Sequence, residues 1–129
     1  MRETLYHLTA DALADVFCPA GIGRHINHLA VRAVALEWFG QRGAGSRLFF
    51  YEDLPYAARL RRRWRDFRDL RAAAGGRLVR HSWRAAAGKL AQIGLYSSQH
   101  KVPVANLWRF SPAAPWPIGP HEAVWELKL

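Results

Sequence analysis

A chain of 129 residues, half of them apolar or aromatic, is long enough for one modest core and too apolar for a disordered polymer. Its single cysteine rules out an internal disulfide and any cysteine-based zinc cluster, and no run of about eighteen or more apolar residues marks a membrane span. The formal charge of +9 admits a polyanionic partner, but the excess is nearly all arginine in an alanine-rich chain, a bias that gene base composition produces without selection for such a partner.

In chain order, residues 3–13 read as a short helix with Leu5, Leu8 and Ala12 on one side, and the start lacks the apolar stretch of a secretory signal, which points to a cytoplasmic protein. Val16, Phe17 and Cys18 form a short apolar strand over residues 15–18, closed by a turn at Pro19. Cys18 beside Phe17 suits a small buried apolar role better than a nucleophile's. The stretch Gly21-Ile22-Gly23-Arg24-His25-Ile26-Asn27-His28 then sets two imidazoles three positions apart after a glycine-marked loop. If a helix begins near Arg24, His25 and His28 share a face of its first turn, where the helix dipole discourages the imidazolium form. Neutral imidazole is a favoured zinc ligand, although such pairs also occur as ordinary polar or half-buried histidines. The pair follows a strand's carboxyl end, where open α/β sheets place their ligands.

Residues 24–39 carry Leu29, Ala33 and Leu36 beside Ala30 and Val34, the pattern of a helix covering a sheet, and the glycine-rich stretch 41–46 ends it. Leu48 to Tyr51 is a continuous apolar run, as in a strand buried on both faces, so strand, helix and strand make a βαβ unit. Glu52 and Asp53 follow at the same sheet edge as the histidines, placed to line a pocket or merely to solvate a loop. Pro55 and Tyr56 open a turn into the segment 59–71, where Leu60, Trp64, Phe67 and Leu70 recur at helical spacing while Asp66 and Asp69 interrupt a positive run. A solvated basic face explains this segment, and the rival reading is a nucleic-acid footprint of Arg61, Arg62, Arg65 and Arg68 supported by Trp64. Gly75 and Gly76 break the helix, residues 78–83 form a short strand, and residues 85–98 form a helix with Leu90, Ile93 and Ser97 on one stripe, weakened by Gly88 and Gly94. His81 and His100 have no motif around them. Residues 111–120 are a proline-rich connector, and the alternation of Ala123, Trp125, Leu127 and Leu129 with polar residues and Val124 gives a half-buried strand over 121–129.

The order strand, Gly-x-Gly, His-x-Asn-His, helix, then Leu48-Phe49-Phe50-Tyr51-Glu52-Asp53-Leu54-Pro55-Tyr56, resembles the later half of the LmbE-like, or PIG-L, family of zinc-dependent N-deacetylases. Lys89, Tyr96, Ser98 and Gln99 extend the similarity, which covers residues 15–99. The resemblance implies an α/β fold, a partial Rossmann-like three-layer sandwich holding the later half of a mostly parallel sheet, with residues 1–129 as one partial domain. It also implies Zn2+ as cofactor, His28 as a metal ligand, and His25 as the group that stabilises or protonates the tetrahedral intermediate. Arg24, Asn27, Glu52 and Asp53 would stand beside them. The implied substrate is an N-acyl, typically N-acetyl, amino-sugar-like small conjugate, with neither membrane nor nucleic acid as partner.

Two departures qualify this. The family's His-Pro-Asp-Asp-Glu type motif, which supplies a ligand histidine, a ligand aspartate and the general base, has no counterpart: no two aspartates are adjacent, and His7 precedes Leu8-Thr9-Ala10. A catalytic zinc needs about three protein ligands, so the chain reads as the carboxyl-terminal portion of such an enzyme, needing the other half or a complementing chain, or as an inactive remnant that binds a sugar or a partner. Asn27 also stands where the family usually has aspartate, which would make His25 a weaker acid partner.

Overall fold

The computed structural model describes residues 14–42, 45–53, 56–84 and 121–129. Strand β1 (Asp15–Pro19) leads through a loop to helix α1 (Ile26–Arg42) and strand β2 (Arg47–Tyr51). A 3₁₀ turn (Tyr56–Ala58) precedes helix α2 (Leu60–Ala74), followed by strands β3 (Arg77–Arg84) and β4 (His121–Lys128). The readings for residues 3–13, 85–98 and 111–120, with His7, Lys89, Tyr96, Ser98, Gln99 and His100, lie outside the described residues.

The four strands form one sheet in the order β1, β2, β4, β3. β1 and β2 are parallel, as the βαβ reading requires, with Val16 opposite Leu48 and Cys18 opposite Phe50. β4 runs antiparallel to both β2 and β3. The sheet is therefore mixed where the resemblance implied a mostly parallel one: helices join β1 to β2 and β2 to β3, which all run the same way, but β4 enters between β2 and β3 in the opposite sense.

Side-chain alternation assigns the two faces. Val16, Cys18, Leu48, Phe50, Leu78, Trp125 and Leu127 share one face and pack with Trp38 and Phe39 of α1 and Phe67 and Leu70 of α2 in a single core. Both helices thus cover the same face, and the described part has two layers rather than three. On the other face Phe17 stacks on Phe49 with centroids 4.7 Å apart, and Phe17 remains 56% exposed. Glu126, buried on that face, binds His81 Nε2 at 2.9 Å and also pairs with Lys128.

The helices present different stripes from those their periodicity suggested. In α1 the buried positions are Ala35, Trp38 and Phe39, with Val31 and Leu36 packed alongside, while Ala30 and Ala33 face solvent. The two large rings rotate the helix toward themselves because burying them removes the most apolar area from water. In α2 Phe67 and Leu70 are buried as expected, but Trp64 is 68% exposed and the neighbouring Arg63 is buried instead. Its guanidinium reaches Glu52 through two hydrogen bonds, of 2.6 and 2.9 Å. No helix among the described residues is long and apolar enough to cross a membrane.

Candidate functional site

The parallel strands end side by side, and the Ala20 N–H donates to the Tyr51 carbonyl at 2.8 Å, so the loops leaving β1 and β2 start in contact. The first carries the histidines and the second carries Asp53. Asp53, only 3% exposed, accepts the Ile22 N–H at 2.8 Å through Oδ2. Its other oxygen, Oδ1, lies 2.6 Å from His28 Nδ1. The two atoms are buried and meet only each other, but their angles are not those of an aligned hydrogen bond, and neither has a hydrogen-bond partner among the described residues.

His28 stands in the first turn of α1. His25 precedes the helix, its carbonyl accepting the Leu29 N–H at 3.0 Å, which makes it the capping residue. Cap and third helical position lie on one side of a helix start, so the rings are neighbours, with centroids 5.1 Å apart. The first turn of α1 holds no acidic residue. The His28 side chain is 37% exposed while its Nδ1 is sealed, so the opposite edge of the ring faces outward. An Nδ1 proton turned on Asp53 would leave the lone pair on Nε2 free, the tautomer in which histidines bind metals when a carboxylate holds their other nitrogen. Burial pushes the Asp53 carboxyl above the ordinary carboxylate range, opposed by the Ile22 N–H, the His28 ring and the Gly21 N–H.

Two further contacts shape the loop. Gly23 lies at φ 93°, and a side chain there would collide with the Tyr56 ring, so the backbone runs directly against that ring. Arg24 adopts φ 59°, the left-handed region that costs a residue with a Cβ about 1–3 kcal/mol. Its Nε donates to Asp66 Oδ1 at 3.2 Å, and its Nη2 pairs with Asp69. The Gly23 N–H donates to Asp66 Oδ2 at 2.8 Å.

The residues singled out from sequence therefore divide. His25, His28 and Asp53 come together. Arg24 adjoins them in sequence, but its guanidinium turns to α2. Asn27 is exposed. Glu52 points away from the histidines into the core, held by Arg63 and by Trp125 Nε1 at 2.9 Å. Asp66 and Asp69, read from sequence as interruptions of a basic run, instead grip the histidine loop. Cys18 is buried and its thiol is pushed up to about 12 by burial, against which Arg32 acts in the opposite sense, so it is no nucleophile. Among the described residues no three His, Cys, Asp or Glu side chains converge to hold a metal ion. The donor set fits one corner of a metal site, through His28.

The basic face of α2 forms a second feature. Arg63, Trp64, Arg65, Phe67, Arg68, Arg71 and Trp125 line a depression of about 660 Å³. Two of its arginines are already committed, Arg63 to Glu52 and Arg65 to Asp66 at 2.9 Å.

No family model matches the sequence, and no curated protein matches it. Among solved structures, teicoplanin deacetylase Orf2 in a zinc-inhibited form superposes with a TM-score of 0.65 at 21% identity, covering 98% of this chain and 50% of that one. In fold the chain resembles a deacetylase. The deacetylase Dbv21 of A40926 pseudoaglycone gives a TM-score of 0.50 at 22% identity over 96% of this chain and 53% of that one. The chain thus spans about half the length of these structural neighbours.

Proposed function

We propose that the histidine pair is part of an active site for metal-dependent hydrolysis of an N-acyl amide, N-acetyl above all, on an amino-sugar-like small conjugate. The observation that carries this reading is the His28 Nδ1 to Asp53 contact of 2.6 Å at the carboxyl ends of the parallel pair β1 and β2. The deacetylase neighbours support it at the level of fold. On this reading residues 1–129 are one partial domain, the described sheet belongs to a Rossmann-like sandwich, and the remaining ligands and the general base come from another half or a complementing chain.

His28 would hold Zn2+ through Nε2, with Asp53 fixing the ring's tautomer and orientation. A bound divalent cation of this kind polarises an amide carbonyl and lowers the pKa of its water to about 7. His25, exposed at the helix start, is placed to donate a hydrogen bond to the oxygen that gains charge as the carbonyl is attacked. It then passes its proton to the departing nitrogen.

The test uses the chain with its complementing half, measuring bound metal by elemental analysis and acetate release from an N-acetylglucosamine conjugate. His28→Ala should remove most of the metal and the activity together, while His25→Ala should keep the metal and lower kcat about 100-fold or more. Stoichiometric metal retained by the His28→Ala protein would overturn the assignment. Because one neighbour was solved in a zinc-inhibited form, the assay should include other divalent cations beside zinc.

A further inference from the structure

Past Ile22, which is buried in the core, and Gly23, whose backbone lies on the Tyr56 ring, the loop from Gly21 to His25 has little regular structure to hold it. A depression of about 190 Å³ lies beside it, lined by Gly21, Arg24, Leu29, Arg32, Asp66 and Asp69, and its one internal backbone hydrogen bond among the described residues joins the Arg24 N–H to the Gly21 carbonyl at 3.1 Å. Its conformation is nonetheless specific, because Arg24 holds a left-handed backbone that glycine alone adopts freely. Something outside the loop must fix it.

We propose that Asp66, reaching across from α2, is the positioning residue that sets the aim of the histidine pair. It is 2% exposed and grips the loop at two points, accepting the Gly23 N–H and the Arg24 Nε. Asp69, one helical turn further on, takes the other end of the same guanidinium. Arg65 donates to Asp66 from its own helix and fixes the carboxylate in turn. Asp53 grips the preceding amide, of Ile22, from the opposite side. Two carboxylates thus hold consecutive backbone N–H groups of the loop, one also touching His28 and the other controlling the residue before His25. Rotation at Arg24 would swing His25 and the first turn of α1 away from the β2 loop. The clamp's meaning for catalysis rests on the deacetylase reading, whereas its physical claim, that Asp66 holds the two rings together, does not.

The experiment follows the full chain by NMR with labelled histidine, reading the ring-to-ring contact between His25 and His28 and the amide exchange of Gly23. Asp66→Asn should raise Gly23 exchange by about 10- to 100-fold, the effect of losing one charge-assisted hydrogen bond, and weaken the ring contact. Adding Arg24→Gly to that variant should restore the ring contact, since glycine adopts the left-handed backbone without a grip. Asp69→Asn, at a half-exposed site, should give a smaller change in the same direction and serves if the Asp66 variant unfolds. Unchanged Gly23 exchange and ring contact in Asp66→Asn, or in Asp69→Asn where that is the variant that folds, would overturn the proposal. A Co2+ titration of the chain joined to its complementing half, followed on the His28 ring resonances, tests the metal reading separately, so a clamp that holds without metal binding there would sink the deacetylase and leave the clamp.

Discussion

At the residue scale, the site's acidic groups pull in opposite directions. Burial works to raise the Asp66 carboxyl's pKa and is outweighed by the Gly23 N–H, Arg65 and Arg24, so it titrates below the ordinary carboxylate value. A carboxyl whose pKa falls on folding adds stability that is fully present above its unfolded value of about 3.9 and is lost as pH falls through the folded one. Asp53, pushed up by burial, has the reverse sign and penalises the folded state once it ionises. Denaturant melts between about pH 2 and 5 should therefore show a loss of stability on acidification that is shallower in Asp66→Asn than in the parent chain. Equal slopes would remove Asp66 from the acid response. The role of this residue was not legible in the sequence. An aspartate amid arginines looks like a solvated charge, and only its phase, shared with Arg63, Phe67 and Leu70 on one stripe, hints that it faces inward. His25 and His28 stood out because two imidazoles after a glycine-marked loop are chemically distinctive, whereas Asp53 and Glu52, adjacent and alike in charge, could not be told apart until the chain's path turned one toward His28 and the other toward Arg63.

At the scale of elements, strands were easier to read than helix faces. The runs around Phe17, Phe49 and Val79 each became strands close to their expected bounds, the first two because they are short apolar stretches rich in aromatic residues between turn residues. The stripe of α2 was misplaced at Trp64 since apolarity alone ranks a tryptophan inside and an arginine outside, and no sequence pattern announces that Glu52 waits eleven residues earlier to neutralise Arg63. This pairing now makes a prediction. Glu52→Ala leaves Arg63 buried without its carboxylate and strips an acceptor from Trp125 Nε1, so urea unfolding should show a loss of about 3–5 kcal/mol. Trp64→Ala, on the exposed side of the same helix, should cost about 0.5 kcal/mol or less. Comparable losses for the two would mean that α2 sits on the sheet by a different face.

At the scale of the whole molecule, part of the arginine content has a structural role. Arg24, Arg47, Arg63 and Arg65 all meet carboxylates on other elements or on their own, so these four of the sixteen arginines tie the fold together. Arg68 and Arg71 beside Trp64 remain the best case for a polyanion. Binding to a single-stranded oligonucleotide should accordingly be weak, with affinity that changes little between about 50 and 200 mM salt, where a protein making many phosphate contacts loses about a thousandfold or more. A steep decline in a fluorescence titration would favour the nucleic-acid reading over the deacylase.

The place of β4 has a consequence for how the molecule is made. It comes last of the four strands along the chain yet lies between the second and the third, so among the described residues β3 has no strand to pair with until β4, some forty residues beyond it, has been made. Until it arrives, the facing edges of β2 and β3 carry unpaired backbone groups that invite pairing with another chain, and the arginines and histidine along β3 blunt that hazard.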